Sequence, residues 1–131
     1  MQISATVINS LGQHAVSVRT GDNVQTLPVP SKAAGGSGVN GGEFLMLALA
    51  TCYCNDLYRE AGRMGISLQR VEIEASATFA GVGLAASDVR YRAKVESTAS
   101  PQAVVRLLRE TDAVAEVHNT LRKGVPVQLI D

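Results

Sequence analysis

Asn40-Gly41-Gly42-Glu43-Phe44-Leu45-Met46-Leu47-Ala48-Leu49-Ala50-Thr51-Cys52-Tyr53-Cys54 begins a segment that continues to Gly65 and decides the fold. It predicts one long helix. Asn40 suits an N-cap, and Glu43, three residues on, can reach back to close a capping box. Gly65 suits the left-handed residue after the last turn. From Phe44 to Ala50 no polar face is left, whereas the second half carries Asn55, Asp56, Arg59, Glu60 and Arg63. A helix patterned this way should begin fully buried and end at the surface. Both cysteines of the chain fall where one regime gives way to the other.

Around this helix, 131 residues suffice for a single domain, 1–131, with its own core. Twelve basic and twelve acidic side chains cancel, so no net field draws the protein to nucleic acid or an anionic membrane. The chain lacks tryptophan and is only 4% aromatic, which removes stacking platforms for single strands. Residues 1–9 alternate in hydropathy instead of forming a signal peptide, and the apolar run 44–50 is too short to span a bilayer. The expectation is a cytoplasmic protein with free thiols, no membrane and no nucleic-acid partner.

Upstream, residues 2–9, 15–19 and 24–29 read as three short strands, with turns at 11–13 and 21–23. Pro28 and Pro30 should end the third strand or confine it to an edge. Residues 31–42 are glycine-rich and formally hold a GxGxxG at Gly36, Gly38 and Gly41. A dinucleotide fold needs those glycines directly after a buried strand, and no lysine followed by Ser or Thr closes a phosphate loop. A flexible lead into the helix is the simpler reading, and no cofactor is expected. Downstream, residues 71–79 and 89–95 alternate cleanly and carry opposite charge on their polar faces. Folded about the turn 81–88, an antiparallel hairpin sets Glu72 and Glu74 across from Arg92 and Lys94. Ser100 and Pro101 announce a helix to about Thr111; Asp112 would cap another ending at Gly124, and residues 125–130 would close the chain as a strand. The order predicts an α+β fold.

Cys52 and Cys54, two apart on a helix, diverge and cannot bridge. Cys54 continues the apolar stripe Met46, Ala50, Leu57, Ala61 and Met64, a place for core packing. Cys52 continues Leu45 and Leu49 but faces Asp56 and Arg59 downstream, at the mouth of the buried region. Arg59 would favour its thiolate and Asp56 would oppose it, so the sign of its shift stays open. His14 and His118 complete four potential metal ligands, but their spacing matches no zinc pattern, so no metal is expected. Each histidine reads as a surface residue or a support to neighbours.

The run from Asn40 to Cys52 resembles the central helix of the OsmC/Ohr family, which reads like NPEELLLAALAAC. Val117-His118-Asn119-Thr120-Leu121 is similar to the family's CPVHRTL element, and Gly35-Gly36 fall where the family often has two glycines. The resemblance implies an antiparallel sheet around a long buried central helix in an intertwined homodimer. It also implies reduction of organic hydroperoxides by a peroxidatic cysteine, matching Cys52, tuned by an arginine and a glutamate. The family's resolving cysteine falls at Ala115, so an external thiol reductant would be needed. Its glutamate falls at Gly42, next to Glu43, and its arginine falls near Gln13 or His14, leaving Arg19 or Arg59 as substitutes. The alternative is a non-catalytic member that holds a small apolar ligand at the dimer interface.

Overall fold

The computed structural model describes residues 1–130, which fall into two compact units, Met1–Phe44 and Leu45 onward. The first is an antiparallel meander of β1 (Ile3–Ser10), β2 (Gln13–Thr20) and β3 (Asn23–Leu27). β3 stops one residue before Pro28, whose missing N–H could not have extended the ladder. Val16 is its buried hydrophobic residue, while Ile3, Val7, Ile8 and Val24 are more than half exposed. The glycine-rich segment that follows is a hydrogen-bonded turn, not a flexible lead. Lys32 N–H donates to Gly36 O at 2.9 Å, and Asn9 Oδ1 accepts from Gly36 N–H at 2.9 Å. Gly38 is demanded by close approach: its N–H donates to Pro30 O at 2.7 Å, and an added Cβ would stand 2.8 Å from the Pro30 ring.

Helix α1 (Gly41–Met64) follows. Asn40 and Glu43 exchange side-chain to backbone hydrogen bonds at 2.8 Å each, so the capping box forms, and Gly65 takes a φ of 67° after the last turn. Burial along the helix departs from the expected gradient. Leu47 in the apolar half is 57% exposed, and the buried residues are Leu49, Tyr53, Asp56, Leu57, Glu60 and Ala61. That stripe repeats every three or four residues and is the face the rest of the second unit covers. A segment apolar on all sides offers no internal clue to which side that is.

The second unit packs against this stripe. β4 (Leu68–Thr78) and β5 (Ser87–Ser97) form an antiparallel hairpin with Glu72 opposite Lys94 and Glu74 opposite Arg92, the register opposite charge favours. Helix α2 runs Pro101–Val114 and α3 runs Glu116–Lys123. Ser100 caps α2 by accepting from Ala103 N–H at 3.2 Å. Asp112 does not begin a new helix as expected; it lies in the last turn of α2, and Ala115 alone separates the two helices. Tyr53, Leu57, Ala61, Leu107 and Ala115 make the core. The expected closing strand at 125–130 is absent: after Gly124 (φ 60°) the segment pairs with no strand, and Val127 and Leu129 are fully exposed. Among the described residues, no helix is long and apolar enough to cross a membrane.

Candidate functional site

Cys52 is three residues beyond Leu49 on the buried side of α1 and packs against the core cluster. Its thiol donates toward Asp56 Oδ2, one helical turn on, at 3.5 Å. Glu116 Oε2, in the first turn of α3, lies 4.0 Å from the same sulfur. The Val117 backbone N–H also faces the sulfur. As the second residue of α3 its amide has no carbonyl within the helix to bond, so it is free to serve a partner outside. Asp56 is 4% exposed, and its other oxygen, Oδ1, is held by Arg59 Nη1 at 2.7 Å. Arg59 Nε in turn binds Glu60, which Arg63 closes from the far side at 2.7 Å. The buried carboxylates of α1 are therefore stabilised by arginines three residues on or adjacent, whose guanidinium groups reach solvent.

Burial pushes the Cys52 thiol above its ordinary 9.0, and the negative charge and hydrogen bond of Asp56 add to that, against the Val117 amide that favours thiolate. Asp56 is itself raised, by burial first and by Glu116 second, although Arg59 pulls it down. Burial and the neighbouring acids thus favour the protonated thiol, whose sulfur points at Asp56 Oδ2. One oxygen from Asp56, one from Glu116 and the Cys52 sulfur all lie within 4.8 Å of one another, close enough to share a cation. The Arg59 guanidinium already supplies positive charge there, 3.9 Å from Glu116 Oε1.

Of the residues singled out from sequence, Cys52 and Arg59 come together, joined through Asp56. Arg19 lies on β2, opposite Ser4 and Val24. Glu43 is engaged by the Asn40 cap. Cys54 is free and half-buried, and Cys52 rather than Cys54 packs on the core cluster. His14 belongs to the N-terminal unit, with Nδ1 3.0 Å from Asn9 Nδ2. His118 corrects the surface reading: it is 3% exposed, its ring 4.4 Å from Tyr91 and 5.8 Å from Tyr53. Glu116 was the residue missed, and for His118 it was the burial that was missed. The signal for His118 was its place among Val114, Val117 and Leu121 on one face of a helical pattern.

Beside His118, Asp112 accepts from the Tyr91 hydroxyl and from Arg122 Nη2. Burial pushes the Asp112 carboxyl up, and those two hydrogen bonds more than reverse the effect, leaving it below its ordinary value. Burial, reinforced by Arg122, holds His118 below its ordinary 6.5.

The family model described as OsmC-like protein matches residues 34–130. Similar solved structures include an OsmC-like protein from Mycoplasma pneumoniae, 14% identical, covering 91% of this chain and 87% of that one at a TM-score of 0.66. Another is an organic hydroperoxide resistance protein OsmC from Legionella pneumophila, 16% identical, covering 98% and 95% at 0.60. A third is an OsmC-like protein of unknown function from Vibrio cholerae, 16% identical, covering 92% and 93% at 0.59. Comparison with curated protein sequences gives no match.

Proposed function

Because the chain belongs to the OsmC-like family, we propose that it reduces organic hydroperoxides through Cys52, with an external thiol completing the cycle. The observation that carries this reading is the Cys52 thiol directed at Oδ2 of a buried Asp56 whose Oδ1 is fixed by Arg59. In the reaction, the sulfur attacks the terminal oxygen of the hydroperoxide while the thiol proton passes to Asp56. The S–O bond forms as the O–O bond breaks, and Asp56 returns the proton to the leaving alkoxide. The products are an alcohol and a Cys52 sulfenic acid. Ala115 occupies the place of a resolving cysteine, and Cys54 is roughly 200° around the helix from Cys52. Two equivalents of external thiol therefore reduce the sulfenic acid, leaving a disulfide and water.

In this reading Arg59 takes the activating role, Glu43 keeps its cap, and Arg19 is a secondary candidate. The exposed Leu47 and the exposed apolar residues of β1 support a homodimer that buries them. Free thiols at both cysteines suit the reducing cytoplasm. The test is consumption of cumene hydroperoxide with a dithiol reductant by the parent and by Cys52→Ser. Loss of activity in the variant is expected; unchanged activity overturns the proposal. The second reading, a non-catalytic protein holding an apolar ligand at the dimer interface, is favoured by the upward shift of the thiol and predicts binding without turnover.

A further inference from the structure

Two carboxylates flank the Cys52 sulfur, and they differ in what compensates their charge. Asp56 Oδ2 lies 3.5 Å away on a residue 4% exposed, and its Oδ1 is held by Arg59 at 2.7 Å. Glu116 Oε2 lies 4.0 Å away on a side chain 71% exposed, and its one ionic contact among the described residues is Arg59 Nη1 at 3.9 Å. Arg59 offsets Glu116 only in part, because the same guanidinium already bonds Asp56 and, through Nε, Glu60 at 3.0 Å. The least compensated charge at the site therefore stands on the side from which solvent reaches the sulfur.

An acid in the first turn of a helix has an ordinary role, complementing the free N–H groups at that end of α3. That role does not require the carboxylate to face Cys52, as it does here. Ala115, directly before Glu116, carries no thiol, and Cys54 diverges from Cys52 around α1. Whatever reacts with the Cys52 sulfur thus arrives from solution, past Glu116.

We propose that Glu116 selects the reaction partners of Cys52 by charge, admitting uncharged and cationic molecules and disfavouring anionic ones, so that the external reductant is a thiol with no acidic group near its sulfur. The statement about the reductant rests on the peroxidase reading; charge selection at the sulfur does not. In the reduction, a thiol RSH forms an S–S bond with the sulfenic sulfur as the S–O bond breaks, and the oxygen leaves as water with the thiol proton. The mixed disulfide Cys52–S–S–R holds R beside Glu116, and a second RSH then releases RS–SR and returns the Cys52 thiol. A negative charge on R meets the Glu116 carboxylate in both steps. Two unit charges about 7 Å apart at a partly solvated mouth are worth about tenfold in rate, between the values for bulk water and for a protein surface. Salt at about 1 M shortens the screening length to about 3 Å and removes most of that effect.

The test compares the parent with Glu116→Gln, which keeps the shape and removes the charge. Cys52 is first alkylated at low salt with iodoacetamide and with iodoacetate, and both rates are read by mass spectrometry. Their ratio within one protein cancels any change in thiolate fraction or local stability, the effects that a merely structural Glu116 would have. The preference for iodoacetamide should fall about tenfold in the variant, and should fall in the parent too as sodium chloride rises to about 1 M. Cys52 sulfenic acid, made with one equivalent of cumene hydroperoxide, is then reduced by mercaptoethanol and by mercaptoethanesulfonate. Relative to mercaptoethanol, the sulfonate should gain about tenfold in the variant. An alkylation ratio that neither the substitution nor salt changes overturns the proposal, as does a sulfenic acid reduced with the same preference in both proteins. Alkylation ratios that shift as expected while no sulfenic acid forms would retain charge selection by Glu116 and remove the peroxidase reading.

Discussion

Asp56 acts on Cys52 in two opposed ways. Its charge raises the thiol, which lowers the fraction of thiolate, yet in the proposed reaction its Oδ2, 3.5 Å from the sulfur, accepts the proton as the sulfur attacks. Asp56→Asn separates the two effects. Alkylation of Cys52 by iodoacetamide near pH 8 should accelerate in the variant, because thiolate becomes easier to form, while hydroperoxide reduction should slow by about 10–100-fold from loss of the proton carrier. Mass spectrometry for the first rate and peroxide consumption for the second decide it; both rates rising together would remove Asp56 from the chemistry. His118 makes a second prediction at this scale. Its folded value lies below its ordinary 6.5, so as pH falls through 6.5 the unfolded chain takes up the proton first and stability is lost. Urea midpoints measured from pH 8 to 5 should fall in the parent and fall less steeply in His118→Phe.

The elements whose signals are local were legible in the sequence. The capping box at Asn40 and Glu43, the glycine after α1, the Ser100 cap and the charge-matched hairpin each rest on neighbours within a few residues or on one cross-strand register. Ser100→Ala should cost about 1 kcal/mol in chemical denaturation, since its Oγ is the group that satisfies the Ala103 N–H. What was not legible depended on tertiary choice. The face of α1 that is buried, with Asp56 and Glu60 in it, was set by the hairpin and α2 and not by the hydropathy of α1 itself. Asp112 looked like a cap because aspartate favours caps; its carboxylate is instead taken by Tyr91 and Arg122, and α2 continues past it. Residues 125–130 alternate like a strand but find no pairing edge. At the site, Cys52, Asp56 and Arg59 were visible as one stretch of helix, whereas Glu116 and the Val117 amide, more than sixty residues away in sequence, required the fold.

At the scale of the molecule, the unusual quantity is apolar surface left uncovered: Leu47 on α1, Ile3, Val7 and Ile8 on β1, and Val127 and Leu129 after α3. Exposed apolar residues in both units are what an association surface would cover. The proposed homodimer therefore predicts twice the chain mass in light scattering, and Leu47→Glu should shift the population toward monomer by placing a charge in the interface. A parent protein that stays monomeric at high concentration would contradict it.

The reading of Cys52 as a peroxidatic thiol is tested most directly by mass spectrometry of the reduced protein after one equivalent of cumene hydroperoxide in the presence of dimedone. The account predicts a dimedone adduct on Cys52 and none on Cys54, with one equivalent of cumyl alcohol released. An unmodified Cys52 with the peroxide intact would contradict it.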